Sequence, residues 1–362
     1  MEITAVRFEH ETLGQRVIFG SGAAAENLAR EVERLGAPRV MLVAGESNTA
    51  AADLAPVLRP VVWFHDVAQH VPADVADRAR RAAADAQVEL VVSIGGGSAT
   101  GLAKAIALTT GLPIVAVPTT FAGSEATNVW GITESSRKLT GVDARVLPAT
   151  VVYDAALTLG LPRELVVASG LNAIAHGVDS LWAPRADPIT QALALEGIRA
   201  LQDGLRAITA HPTALEGRER ALYGGYLSAV AFASAGSGLH HKICHVLGGS
   251  FGLPHAQTHA IVLPTVLAFN GPAVPDLEAR AAAAFGAPTA DGGLRELRDE
   301  LEAPRALRDY GFAESDIDEA AAIILPQVPD SNPRPVAKSD LVAILTAAWA
   351  GTPLDQKEDA RA

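Results

Sequence analysis

Along the first 155 residues, short apolar runs alternate with segments of helical period, and then the alternation stops. RVIFGSG (16–22), RVMLVAG (39–45), VVWFHDV (61–67), ELVVSIGGG (89–97), IVAVPTT (114–120) and ATVVYD (149–154) are strand-like and bounded by turn residues. Between them lie helical stretches such as AAAENLAREVERLG, with Gly36 placed to cap its C-terminus, and DVADRARRAAADAQ (74–87). Continuous apolar strands separated by helices predict a parallel sheet, buried on both faces and joined by crossover helices. After Leu161-Pro162 only long helical segments follow, among them RELVVASGLNAIAHGVDSLWA and DPITQALALEGIRALQDGLRAIT. The chain of 362 residues therefore reads as an α/β domain over 1–157 and an all-helical domain over 158–362. A ligand cleft is expected between them.

The net charge of −12 argues against a nucleic-acid partner, which needs a basic face, but leaves room for one locally positive pocket. A single cysteine, Cys244, excludes an intrachain disulfide. The first residues, MEITAVRFEHETLG, lack a basic-then-apolar signal pattern. LYGGYLSAVAFASAGSGL (222–239) approaches membrane-spanning length, yet its glycines, serines and alanines suit a buried helix of a packed bundle. The expectation is a cytoplasmic enzyme with no membrane or nucleic-acid partner.

Two stretches carry candidate chemistry. In SIGGGSATGLAKAIAL (93–108) a strand runs through Gly95, Gly96, Gly97 and Ser98 into a helix, so free N–H groups and a positive dipole end could meet a pyrophosphate. The spacing is neither GxGxxG nor a P-loop, and a tight structural turn is the alternative. VPTTFAGSE (117–125), at a second strand end, brings Thr119, Thr120 and Ser124 toward the same crevice. The other stretch, GLHHKICHVLGGSFGLPH (238–255), holds four of the ten histidines. His241 and His245 are i, i+4, as are Asn172 and His176 in SGLNAIAHGVD, whereas His240 points elsewhere on its helix. Each histidine alone could be a core residue; together they suggest a site.

GGGS, PTTFAGSEAT, SGLNAIAHGVDS and GLHHKICHVLGGSFGLPHAQTHAIVLP, in this order, resemble the iron-containing alcohol dehydrogenase superfamily along nearly the whole chain. Within it, HHKICH and the Asn of SGLNAIAH resemble the maleylacetate reductases. The resemblance implies the dehydroquinate synthase-like fold, an N-terminal nucleotide-binding α/β domain and an all-α C-terminal one, in a homodimer. It implies NADH or NADPH as cofactor, with Gly95, Gly96, Ser98, Thr119, Thr120 and Lys138 as nucleotide residues and Gly97 in the same turn. The family's divalent metal is bound by one Asp and three His. Here the histidines match His176, His241 and His255, but Asn172 stands at the Asp position, so the expectation is that no metal is required.

The resemblance implies reduction of the carbon–carbon double bond of maleylacetate, a small dianion, to 3-oxoadipate. Protonated imidazoles of His176, His241 and His255 would hold the anion, His245 would donate the proton, and Lys242 would add charge if it faces the cleft. The rival readings are a metal-dependent alcohol or glycerol dehydrogenase, and a nucleotide-binding regulator without turnover.

Overall fold

The computed structural model describes residues 7–134 and 137–354, the side chains of 137 and 138 excepted. Strands β1 (Arg16–Phe19), β2 (Val40–Val43), β3 (Val62–Phe64), β4 (Leu90–Gly95) and β5 (Ile114–Pro118) alternate with helices α1 (Ala24–Leu35), α2 (Thr49–Leu58), α3 (Ala73–Asp85) and α4 (Gly97–Thr110). An antiparallel pair follows, β6 (Val129–Glu134) and β7 (Arg137–Val142), then β8 (Thr150–Tyr153). The parallel sheet has the order β1-β8-β5-β4-β2-β3. Side chains alternate across it. Val40, Leu42, Val92 and Ile94 pack with α1 and α2, whereas Met41, Val43 and Val91 pack with α3 and α4. Burying each such side chain contributes about 1.5–3 kcal/mol. As expected, Gly36 caps α1 in the left-handed conformation, with φ 61°.

Two expectations need correction. Only β2, β4, β5 and β8 are fully buried; β1 and β3 are the sheet's edges and are largely exposed or half-buried. The β6–β7 pair was not foreseen, because its half-exposed strands contain Gly131 and Gly141 and show little apolar alternation.

Beyond residue 162 the elements with more than four residues are all helices: α5 (Arg163–Ser180), α6 (Pro188–Ala210), α7 (Leu215–Ala235), α8 (Leu239–Ser250), α9 (His255–Asn270), α10 (Pro275–Phe285), α11 (Ala290–Glu300), α12 (Ile317–Ile324) and α13 (Lys338–Ala350). Helix α5 is buried on every side from Val166 to Ser180 and forms the centre of this half. The small residues of α6 and α7 let two backbones touch: a Cβ on Gly204 would lie 2.7 Å from the Ala221 nitrogen. The run 222–239 is therefore the end of α7, a break at 236–238 and the start of α8, not one helix. Among the described residues, no helix is long and apolar enough to cross a membrane.

Candidate active site

Strands β2 and β4 are neighbours, but the chain leaves β2 toward β3 and leaves β4 toward β5. Such a reversal opens a crevice at the carboxyl ends of the strands. A cavity of about 350 Å³ lies on this side of the sheet, closed by helices α5, α7, α8 and α9.

The sheet-side wall includes Gly97, Ser98, Thr120 and Ser124, with Trp130 of β6 and Thr140 of β7 flanking them. A Cβ on Gly96 would come within 2.8 Å of the Thr120 methyl, so glycine there lets the Thr119–Thr120 segment close on the turn. A Cβ on Gly97 would meet nothing within 4 Å. The first turn of α4 thus presents free N–H groups to open space, the geometry of a phosphate cradle. Gly95, Gly96 and Thr119 shape this turn from behind rather than lining the cavity; the Thr119 N–H donates to the Gly95 carbonyl at 3.0 Å. The Lys138 side chain lies outside the described residues.

Lys104, which the sequence reading passed over as a nucleotide residue, lines the cavity two turns into α4. Its ammonium donates to the Ser124 carbonyl (2.6 Å), the Thr127 hydroxyl (3.0 Å) and the Val129 carbonyl (2.9 Å). All three protons are used within the protein, so Lys104 offers a ligand charge rather than a hydrogen bond. Burial pulls its pKa down to about 7, partly offset by nearby Glu125.

The helical wall includes Asn172 and His176 of α5, Phe232 of α7, His241 and His245 of α8, and His255 at the start of α9. The His176 and His241 rings stack with centroids 5.0 Å apart, and Phe232 packs 4.2 Å from His241. Three buried atoms on these residues have no hydrogen-bond partner: Asn172 Oδ1, His176 Nδ1 and His241 Nε2. Such orphans are costly unless a ligand engages them.

Behind His241 stands Asp179, fully buried, which the sequence reading quoted but did not select. His241 Nδ1 donates to Asp179 Oδ2 at 2.7 Å. The same carboxylate accepts from the backbone N–H groups of Gly238 (2.8 Å), His240 (3.3 Å) and His241 (3.4 Å), the free donors at the start of α8. A Cβ on Gly238 would lie 2.4 Å from Asp179 Oδ1, which explains the glycine. Asp179 therefore anchors the histidine helix, sets the His241 tautomer and leaves Nε2 for a ligand. Its position three residues after His176 was the one available signal; its partner is 62 residues away.

Burial pushes Asp179 up to about 7 and His176 down to about 4, with Lys104 adding to the His176 shift. Burial and the neighbouring imidazoles hold His241 well below its usual value. Burial therefore disfavours the protonated imidazoles expected at His176 and His241, and Lys104 is the lysine that lines the cavity. Lys242 is also corrected. It is half-buried and does not line the cavity, being one residue, about 100° of helix, from His241. His240 points away from the cavity, as expected. It is a fully buried core residue sharing a 2.9 Å hydrogen bond with His259, beside Cys244 Sγ at 3.6 Å.

No Asp or Glu among the described residues lines the cavity, whereas Lys104 does. Among the described residues, three ligand-type atoms converge within 4.8 Å at His240, Cys244 and His259, and not at His176, His241 and His255.

The family model "Iron-containing alcohol dehydrogenase" matches residues 14–155, and "Fe-containing alcohol dehydrogenase family, C-terminal" matches 166–349. The maleylacetate reductase of Pseudomonas knackmussii is 45% identical, over 96% of this chain and 99% of its own. A solved iron-containing alcohol dehydrogenase from Corynebacterium glutamicum superimposes with a TM-score of 0.93 at 58% identity, covering 96% of this chain and 98% of that one. The maleylacetate reductase structure from Agrobacterium tumefaciens gives 0.90 at 39% identity, covering 96% and 99%. The chain belongs to the iron-containing alcohol dehydrogenase family, and its curated relatives at 40–45% identity are maleylacetate reductases.

Proposed function

We propose that the chain is a maleylacetate reductase, using NADH or NADPH to reduce the carbon–carbon double bond of maleylacetate to 3-oxoadipate. The observation that carries this reading is the cavity wall: no carboxylate, one buried ammonium, and imidazoles around Asn172. An Asp at 172 would set a carboxylate against the substrate dianion. At about 4 Å that repulsion ranges from about 1 kcal/mol at the dielectric of water to about 4 kcal/mol at an effective dielectric near 20, so a loss of about tenfold in affinity lies at its screened end.

In the proposed arrangement residues 1–157 form the nucleotide domain, with the pyrophosphate on the Gly97–Ser98 turn and Thr120 and Ser124 beside it. Residues 158–362 form the catalytic domain. Hydride goes to the carbon β to the ketone, and charge builds on the ketone oxygen. His176, His241 and His255 surround the anion. A bound dianion favours the protonated imidazole, and the Asp179 carboxylate behind His241 stabilises that form. His245 gives the α carbon its proton. No step in this arrangement calls for a metal, and metal independence is part of the proposal. Exposed Val17 and Phe19 on edge strand β1 support a homodimer, and a cytoplasmic location fits the substrate.

The test is NADH oxidation with freshly prepared maleylacetate, beside NAD reduction with ethanol, glycerol and 1,3-propanediol. Turnover of maleylacetate alone supports the reading. Turnover of alcohols with added divalent metal, and none of maleylacetate, would transfer the chain to the alcohol dehydrogenases.

A further inference from the structure

A second cavity, of about 210 Å³, lies in the helical half and shares no lining residue with the first. Ile261 and Thr265 of α9, Arg295 and Arg298 of α11, Arg305 and Leu354 are in its wall. Three guanidiniums to one carboxylate, Asp299, around one small cavity are unexpected in a chain of net charge −12.

Two of the three are matched. Arg295 pairs with Asp291 at 2.9 Å, and Arg305 pairs with Asp299 at 2.8 Å. Arg298 is different. Among the described residues no carboxylate lies within ion-pair distance of it. Its Nη2 donates to the Pro304 carbonyl at 2.7 Å, which pins the loop after α11, but its buried Nε has no partner. Burial and the neighbouring Arg305 and Arg295 hold its pKa down at about 10, with Asp299 and Asp291 offsetting part of the shift. The bond to Pro304 gives Arg298 a structural task, yet it satisfies one N–H and leaves the guanidinium without an ion pair of its own, because the nearby carboxylates of Asp299 and Asp291 are already paired with Arg305 and Arg295. A withdrawn guanidinium without a counter-ion is costly, and a planar oxyanion can neutralise it while accepting from Nε.

We propose that this cavity is a binding site for a small oxyanion, a carboxylate or phosphate group held by Arg298 and flanked by Arg295 and Arg305. The site does not depend on the proposed reaction. Helix α9 connects it to the active site, since the helix that supplies Ile261 and Thr265 begins at His255.

The experiment is thermal unfolding of the full chain saturated with NADH, in a zwitterionic buffer, titrated with inorganic phosphate or with succinate. Saturating anion should raise the wild-type Tm by about 3 °C. Arg298→Met loses the Pro304 bond, so its own anion-free Tm is the reference, and above that reference it should show no anion-dependent rise. Arg305→Met, at an exposed ion pair, keeps the test open if Arg298→Met fails to fold; it should weaken the apparent affinity by about tenfold. A chain ending at Leu354 separates the sources of the oxyanion, because the residues beyond it include Asp355, Glu358 and Asp359. A response confined to the shortened chain and dependent on Arg298 or Arg305 would mean that the chain's own carboxylates supply the anion. Equal rises in wild type and both variants would be a general salt effect, and that result, or no rise in either chain length, overturns the proposal.

Discussion

On the sheet side of the active-site cavity a backbone turn at Gly97 and Ser98 starts α4, with Thr120, Ser124 and Trp130 beside it. On the helical side the wall is made by side chains from four helices, and one of these side chains, His241, is oriented by a carboxylate that does not line the cavity. A backbone cradle tolerates most side-chain changes nearby and fails when a side chain intrudes. An imidazole wall fails when one ring is lost or turned. The two walls should therefore separate in mutagenesis, one governing nucleotide affinity and the other turnover.

The largest expected effect falls on the helical wall. His245→Gln should lower kcat by about 10²–10⁴-fold while the Kd for NADH stays at the wild-type value, read by single-turnover kinetics and fluorescence titration. Equal losses in both would erase the distinction between the walls. On the sheet side, Gly97→Asp introduces a carboxylate into open space, so folding should be unaffected. NADH binding should weaken by about 100-fold or more through repulsion of the pyrophosphate, measurable by calorimetry. Normal NADH affinity in this variant would place the cradle elsewhere.

The contrast also explains what the sequence revealed. GGGS after an apolar strand is a local pattern, and the structure places its turn at the cavity. The i, i+4 pairs Asn172/His176 and His241/His245 were legible because helical geometry alone puts both members on one face. Asp179 was not legible, since its value depends on meeting α8 in space. Lys104 was passed over for the same reason: its three acceptors come from 124–129, a segment without a strong local pattern. Lys242 was overestimated because charge near a motif is visible in sequence and side-chain direction is less so.

Smaller effects sharpen the comparison. Asn172→Asp should raise the KM for maleylacetate by about tenfold, with NADH affinity unchanged and divalent-metal affinity increased, measured by steady-state kinetics and metal titration. A lower KM would contradict the charge argument. The pH dependence follows from Lys104, whose folded pKa is depressed to about 7. Below that value the ammonium is present and favours the dianion; above it the charge is lost. The KM for maleylacetate should rise severalfold between about pH 7 and about pH 8. A KM independent of pH in that range would mean that Lys104 does not act on the substrate.

The central proposal is that imidazoles backed by Asp179, with Lys104, supply the electrostatics of the reaction without a metal. The most direct measurement is the rate of maleylacetate reduction after exhaustive chelation, with bound metal counted in the same sample. Full activity at less than about 0.1 metal ion per chain, unchanged by added zinc or ferrous iron, is the predicted result. Loss of activity on chelation, restored by one metal ion per chain, would contradict it.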